Sequence, residues 1–337
     1  MQSPKRVCIH IGTDKAGSTA IQAFAFRNRA VLAERGLHVV ESRFQHHGPI
    51  YRDLQAGSTE RLTAAVRAIH EHDAPRHLIS FEGLYHLDGA MLAAFIDAFA
   101  GLEVEVVLYL RRRSDKFRSA VAQSMRLHKS VRADWACRRL LSGDFRSDAR
   151  SLDYLAIVRR WQQALLSSGR PDALVLRVFE RPSFVGGDLL VDFYSRLGVL
   201  QPGESPQQPP FVALPNPLNP SLSPAAQYLM VLTEVFGLDD RRRREVQNWL
   251  VEADNPGGRR QSLVPDDVAL RFDEQYAAQD RQLAREFFGR EILFAEPTTF
   301  AHVPPTALDF TELLRRLYEQ HSARVESEDR AEASPRR

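Results

Sequence analysis

Arg6-Val7-Cys8-Ile9-His10-Ile11-Gly12-Thr13-Asp14-Lys15-Ala16-Gly17-Ser18-Thr19 opens the chain with a hydrophobic strand, a turn bounded by two glycines and the start of a helix. This order of elements cradles phosphate elsewhere, because the first N–H groups of a helix point outward and its dipole favours an anion. Gly12 and Gly17 hold the spacing of the phosphate loop G-x-x-x-x-G-K-[ST], but Ser18 stands where that pattern has lysine. The lysine lies inside the turn, at Lys15, from where it can reach a bridging, leaving-group oxygen.

Working outward, short apolar runs alternate with helical patterns, the signature of an α/β protein with a mostly parallel sheet flanked by helices. Strands are expected over 7–11, 37–40, 77–80, 104–110 and 173–178. Helices are expected over 60–72, 90–99, 115–127, 152–168 and 189–197. The first helix should start near Ser18, capped by Ser18 and Thr19, carry Ile21, Phe24, Ala25 and Leu32 on one face, and stop at Gly36.

Residues 201–224 hold eight prolines, too many for regular helix or a central strand, and read as an extended connection. Beyond it the pattern is helical over 225–236, 241–252, 266–288 and 307–319, with no convincing strand. We therefore expect one α/β domain over 1–320, its 225–320 part mainly helical, and a disordered polar tail over 321–337.

The 337 residues are 44% apolar and 26% charged, which suits a well-buried core. A net charge of +2 is too small to imply nucleic acid. The two cysteines, Cys8 and Cys137, form neither a disulfide framework nor a metal cluster. With no run near the roughly 18 apolar residues of a membrane span, a cytoplasmic protein is expected.

A second anion-binding pattern follows the fourth strand. Arg111 ends it and Ser119 sits eight residues on in the next helix, so a guanidinium and a hydroxyl bracket a strand-to-helix turn. Both patterns belong at strand C-termini, where open α/β sheets bind ligands.

Together these features resemble the bacterial sulfotransferases that use 3′-phosphoadenosine 5′-phosphosulfate (PAPS). The resemblance rests on His10–Thr19 with Gln22, on Ser80-Phe81-Glu82, and on Tyr109-Leu110-Arg111. Asn219-Pro220-Ser221-Leu222-Ser223-Pro224 and Phe288-Gly289…Leu293-Phe294 extend it loosely over most of the chain. Asp14 and Ala16 stand where His or Pro and Thr or Ser are commoner, and no R-K-G-x-x-G segment covers the nucleotide beyond a faint echo at 258–261. An inward-facing Asp14 would repel a doubly anionic donor.

The resemblance implies a P-loop-like fold and PAPS as donor, with 3′,5′-ADP as product and no metal. It implies Thr13, Lys15, Ala16, Gly17, Ser18 and Thr19 around the 5′-phosphosulfate, and Arg111 with Ser119 on the 3′-phosphate. Lys15 would neutralise the leaving oxygen. Glu82, at a buried strand end, is the expected base that takes the acceptor's proton, with His47 of His46-His47-Gly48-Pro49 as its rival. The acceptor would be a glycan, lipid or small metabolite.

Two other readings stay open. A degenerate P-loop kinase is disfavoured by the displaced lysine and the missing Walker B strand, and a catalytically silent nucleotide-binding or scaffold protein of the same fold is allowed. His10 reads as a satisfied core residue, 241–244 as a solvated basic face, and Trp135, Trp161 and Trp249 as core or interface.

Overall fold

Residues 4–126, 151–201, 203–215, 222–254, 261–295, 301–303, 310–311, 313–317 and 319 are described by a computed structural model. Cys137, Trp135, the expected tail over 321–337 and the echo at 258–260 lie outside these residues. The chain gathers into two compact units: Met1–Arg112, Asp148–Leu218 and Gln275–Pro297 form the first, and Arg113–Ser147, Asn219–Glu274 and Thr298–Arg337 the second.

The first unit is built on five parallel strands: β1 (Arg6–Gly12), β2 (Leu37–Val39), β3 (Arg76–Ser80), β4 (Glu103–Leu110) and β5 (Leu174–Val178). All five expected strands are present. Their spatial order is β2-β3-β1-β4-β5. The chain leaves β1 toward β2 and β4 toward β5, so the direction of winding reverses between β1 and β4, whose C-terminal ends border the position where such sheets take ligands.

Period-two alternation divides the core into two layers. Val7, Ile9, Ile11, Val106, Leu108 and Leu110 face one layer, with Trp161, Phe95 and Leu62 from helices Tyr154–Ser167, Gly89–Asp97 and Glu60–Glu71. Cys8, Leu78, Val107 and Tyr109 face the other, with Phe24, Phe193 and Tyr194. Each large side chain so buried contributes about 1.5–3 kcal/mol. Burial also pushes the Cys8 thiol far above its usual range.

Several expected elements are revised. The helix over 18–36 is two, Ser18–Arg27 and Arg29–Glu34, broken at Asn28. The Asn28 side chain donates to Phe24 O and Val212 O and accepts from Val212 N–H, so it pairs with the proline-rich connection like a strand edge. Neither Ser18 nor Thr19 caps the first helix: Gly17 holds the cap position at φ 77°, and the Ser18 hydroxyl donates to Thr13 O at 3.2 Å.

A helix at Gly48–Gln55 was not expected. The helix expected over 266–288 breaks at Tyr276 into Asp266–Gln275 and Ala277–Phe288. Two short strands that were not expected, Gln261–Ser262 and Ala301–His302, pair in parallel.

In the second unit, Ser114 bonds Asp273 through its N–H and hydroxyl at 2.9 and 2.7 Å, and Arg118 pairs with Asp266. Leu222, Ala226, Met230, Leu250, Ala253 and Leu313 form its apolar core. The basic run on helix Asp240–Ala253 is not wholly solvated, because Arg243 is buried while its neighbours are exposed. Trp161 is core and Trp249 is half exposed.

Three histidines of the first unit are held neutral by burial. His10 is pushed down to about 3, and His38 and His77 to about 4 with added repulsion from neighbouring rings. His10 is bonded on one side only: Nδ1 meets Ser80 Oγ at 2.8 Å, while Nε2 has no partner. In the unfolded chain each ring protonates near 6.5. A depressed folded value means stability is complete above 6.5 and is lost as pH falls from there, toward 4 for His38 and His77 and toward 3 for His10. Urea unfolding at pH 4.5 should therefore show about 2–3 kcal/mol less stability than at pH 7 from His10 alone; a flat profile would mean the ring protonates in place.

Candidate functional site

Gly12, the last residue of β1, has φ 118°, and a Cβ there would lie 2.8 Å from Glu82 O. Only glycine lets the backbone at Glu82 rest against the start of the loop. At the far end a Cβ on Gly17 would meet Leu189 Cδ2 at 2.2 Å and Phe179 Cε2 at 2.8 Å. Gly12 is thus required by the close approach of backbone, and Gly17 is favoured by its left-handed φ of 77°.

Between them the loop is fixed by its own polar groups. Thr13 donates its N–H and its hydroxyl to Tyr109 O at 3.0 and 3.1 Å, and Ala16 N–H donates to Thr13 O at 3.3 Å. Thr13 and Ala16 are fully buried. They shape the loop, Thr13 by joining it to β4 and Ala16 by closing the turn on Thr13. Ser18 and Thr19, as the first helical residues, have N–H groups with no acceptor inside the helix.

Lys15 adopts φ 62°, a left-handed conformation that strains a non-glycine residue by about 1–2 kcal/mol. Strain of this kind collects at functional sites. Its carbonyl accepts from Arg111 Nη1, which ties the ends of β1 and β4 together. Arg111 is itself placed by the Tyr154 hydroxyl on its carbonyl at 2.7 Å and by the Phe179 ring, whose centre lies 5.5 Å from its guanidinium carbon.

The three consecutive arginines have separate fates. Arg111 braces the loop, Arg112 lies 3.8 Å from Glu180 and 5.4 Å from the Phe294 ring centre, and Arg113 is buried in the second unit. Ser119 also belongs to the second unit, on helix Arg113–Arg126.

Asp14 accepts the Tyr85 hydroxyl at 2.6 Å, which turns one carboxylate oxygen toward the short turn Leu84–His86. Burial and that carboxylate push the Tyr85 hydroxyl far above its usual range, so it stays a donor.

Glu82 follows β3 and is half-buried. Gln22 donates to its Oε2 at 2.8 Å and approaches Ser80 Oγ at 3.4 Å, completing a buried line of polar groups His10, Ser80, Gln22 and Glu82. Gln22 lies four residues after Ser18 on the buried side of its helix, a polar residue among Ile21, Phe24 and Ala25; that placement was its signal in the sequence.

His47 has no nitrogen left for proton transfer. Its Nδ1 accepts from Ser80 N–H at 3.0 Å, its Nε2 donates to Val40 O at 2.9 Å, and its own N–H donates to Ser80 O at 2.9 Å. The ring is 5% exposed and burial lowers its basicity. It stitches the segment after β2 to the end of β3. Among the described residues no group of three His, Cys, Asp or Glu side chains could hold a metal ion, and no helix is long and apolar enough to cross a membrane.

The chain is similar to an uncharacterized protein of Archaeoglobus fulgidus, with 28% identity over 145 residues, 42% of this chain and 37% of that protein. The chain thus aligns with well under half of that relative's length. No family model matches the chain, and no solved structure matches it.

Proposed function

We propose that this protein transfers a sulfuryl group from PAPS to a hydroxyl or amine of a glycan, lipid or small-metabolite acceptor. The observation that carries the reading is the tie between Lys15 and Arg111 at the C-terminal ends of β1 and β4, where the winding of the sheet reverses. The order β2-β3-β1-β4-β5 with a glycine-bounded loop after β1 supports a P-loop-like fold. The side chain of Lys15, the guanidinium of Arg111 and the N–H groups of Ser18 and Thr19 form a cationic donor set that fits a phosphosulfate.

Bound there, PAPS supplies an activated sulfuryl group on a phosphate leaving group. Lys15 offsets negative charge at that phosphate. Glu82 takes the acceptor's proton, a role worth about 10²–10⁴-fold in rate, and Gln22 holds its carboxylate in position. Tyr85 keeps one oxygen of Asp14 occupied, moderating the repulsion of an anion beside Lys15. Arg111 acts first on the loop, and the pairing of Arg111 with Ser119 around a 3′-phosphate rests on the resemblance.

A second reading, a nucleotide-binding protein without transferase activity, is favoured by Asp14 itself, an acid beside the cation of the loop. Calorimetry with 3′,5′-ADP and with ATP–Mg²⁺ tests both. The expected result is metal-independent binding of 3′,5′-ADP, at least roughly tenfold tighter than ATP, as one added phosphate contact gives. Magnesium-dependent ATP binding indifferent to a 3′-phosphate would overturn the proposal; normal 3′,5′-ADP binding with no labelled sulfate reaching any acceptor would leave the silent binder.

A further inference from the structure

The buried line from His10 to Glu82 contains an atom that packing does not explain. His10 and Ser80 face each other across β1 and β3, and Gln22 reaches Ser80 from the helix Ser18–Arg27. All three are buried, and the His10 ring stands across that of Phe193, their centres 5.5 Å apart and their planes at 69°. His10 Nε2 has no partner there. A leucine would fill such a place without leaving a polar atom unpaired, so the imidazole calls for a role beyond filling the layer.

The donors along the line fix its direction. The Gln22 amide nitrogen carries two protons and accepts none. It lies 2.8 Å from Glu82 Oε2 and 3.4 Å from Ser80 Oγ, and it donates to both, because an amide oxygen in its place would meet the carboxylate lone pair to lone pair. Ser80 Oγ thus receives a proton from Gln22 and gives its own to His10 Nδ1 at 2.8 Å. Nδ1 is then bare, which puts the imidazole proton on Nε2. Burial keeps the ring neutral, as this arrangement requires. His47 holds the Ser80 backbone from both sides, accepting its N–H on Nδ1 at 3.0 Å and donating to its carbonyl at 2.9 Å, so the hydroxyl is presented from a fixed place.

We propose that His10 is a positioning residue: by accepting the Ser80 hydroxyl it leaves Ser80 only an acceptor toward Gln22, which turns the amide nitrogen, and not the oxygen, toward Glu82. With the proton on Nδ1 instead, Ser80 would donate to Gln22, the amide would turn round, and its oxygen would face Glu82. A carboxyl group facing that oxygen keeps its own proton, and so cannot take one from an acceptor. The place of one proton on a buried ring therefore decides whether Glu82 stands ready as a base. No proton travels along the line; each bond fixes the direction of the next. The bonding rests on geometry alone, and its consequence for catalysis rests on the sulfuryl-transfer reading.

Proton–nitrogen NMR of the full chain at pH 7, labelled at histidine and glutamine, tests the bonding. The His10 ring signals, known by their loss in His10→Asn, should show the proton on Nε2 and a bare Nδ1; a proton on Nδ1 overturns the inference. The side-chain amide signals of Gln22, known by their loss in Gln22→Leu, should move in His10→Leu. They should return in His10→Asn, whose amide oxygen can stand where Nδ1 does. Gln22 signals that stay in place in His10→Leu overturn the inference as well.

Turnover with labelled PAPS reads the consequence. His10→Leu should lower kcat about tenfold, the worth of one hydrogen bond, with KM for PAPS unchanged, and His10→Asn should recover most of that loss. The melting temperature of His10→Leu at pH 7 should stay at or above that of the wild type, because an unpaired buried nitrogen is removed. A histidine of merely structural value would lose stability and leave kcat unchanged, and full turnover in His10→Leu overturns the positioning role. If the wild type transfers no sulfuryl group, the transferase reading falls by itself, and the Gln22 signals alone uphold or sink His10 as the group that orients that amide.

Discussion

Lys15→Ala is expected to lower sulfuryl transfer by about 10²–10³-fold, the loss found when one preorganised donor to a developing anion is removed. The substitution suits the test because it leaves the loop's supports in place. Lys15 is held through its carbonyl by Arg111, and the loop by Thr13 on Tyr109 O and by Gly12 and Gly17. Alanine suffers the same left-handed strain at φ 62° as lysine, so the backbone of the loop should keep its conformation. Turnover with labelled PAPS and a melting curve on the same sample check both halves. Near-normal turnover in a folded Lys15→Ala protein would refute the mechanism.

The strands were legible because β1, β3 and β4 each carry adjacent apolar residues and are buried on both faces almost throughout, as parallel strands require. The loop was legible because Gly12 and Gly17 are spaced for it and both have a positive φ that favours glycine. What the sequence hid depends on partners distant along the chain. The break at Asn28 is made by Val212, 184 residues on, and no local pattern announces it.

His46-His47-Gly48-Pro49 holds a glycine and a proline, residues that punctuate loops, and no helix was expected there. Yet proline is also at home in the first turn of a helix, and His47 gained its burial only by meeting Ser80 and Val40. Arg111 and Ser119 are eight residues apart in sequence, but the chain passes from one unit to the other between Arg112 and Arg113. Spacing along a chain carries no sign of such a boundary. Glu82 was legible as a strand-end acid; that Gln22 would hold it was visible only as a polar residue on an apolar helix face.

Asp192 shows how the support beneath the loop reaches the site. Its carboxylate is fully buried and accepts four bonds: from Tyr109 hydroxyl at 2.7 Å, from Arg177 Nε at 3.1 Å and Nη2, and from Val185 N–H at 3.0 Å. It secures the segment 181–187 and the side chain of Tyr109, whose carbonyl in turn holds Thr13. Asp192→Ala leaves a partly buried guanidinium, a tyrosine hydroxyl and a backbone N–H without their acceptor. Breaking a buried pair in this way costs about 3–5 kcal/mol. A loss of that size should lower the melting temperature by about 10 °C. Hydrogen exchange should report the route, because Thr13 N–H bonds to Tyr109 O and should lose protection together with Val185 N–H. If Asp192→Ala melted with the wild type, or lost stability while Thr13 stayed protected, Tyr109 would not be the link between this buried pair and the anion loop.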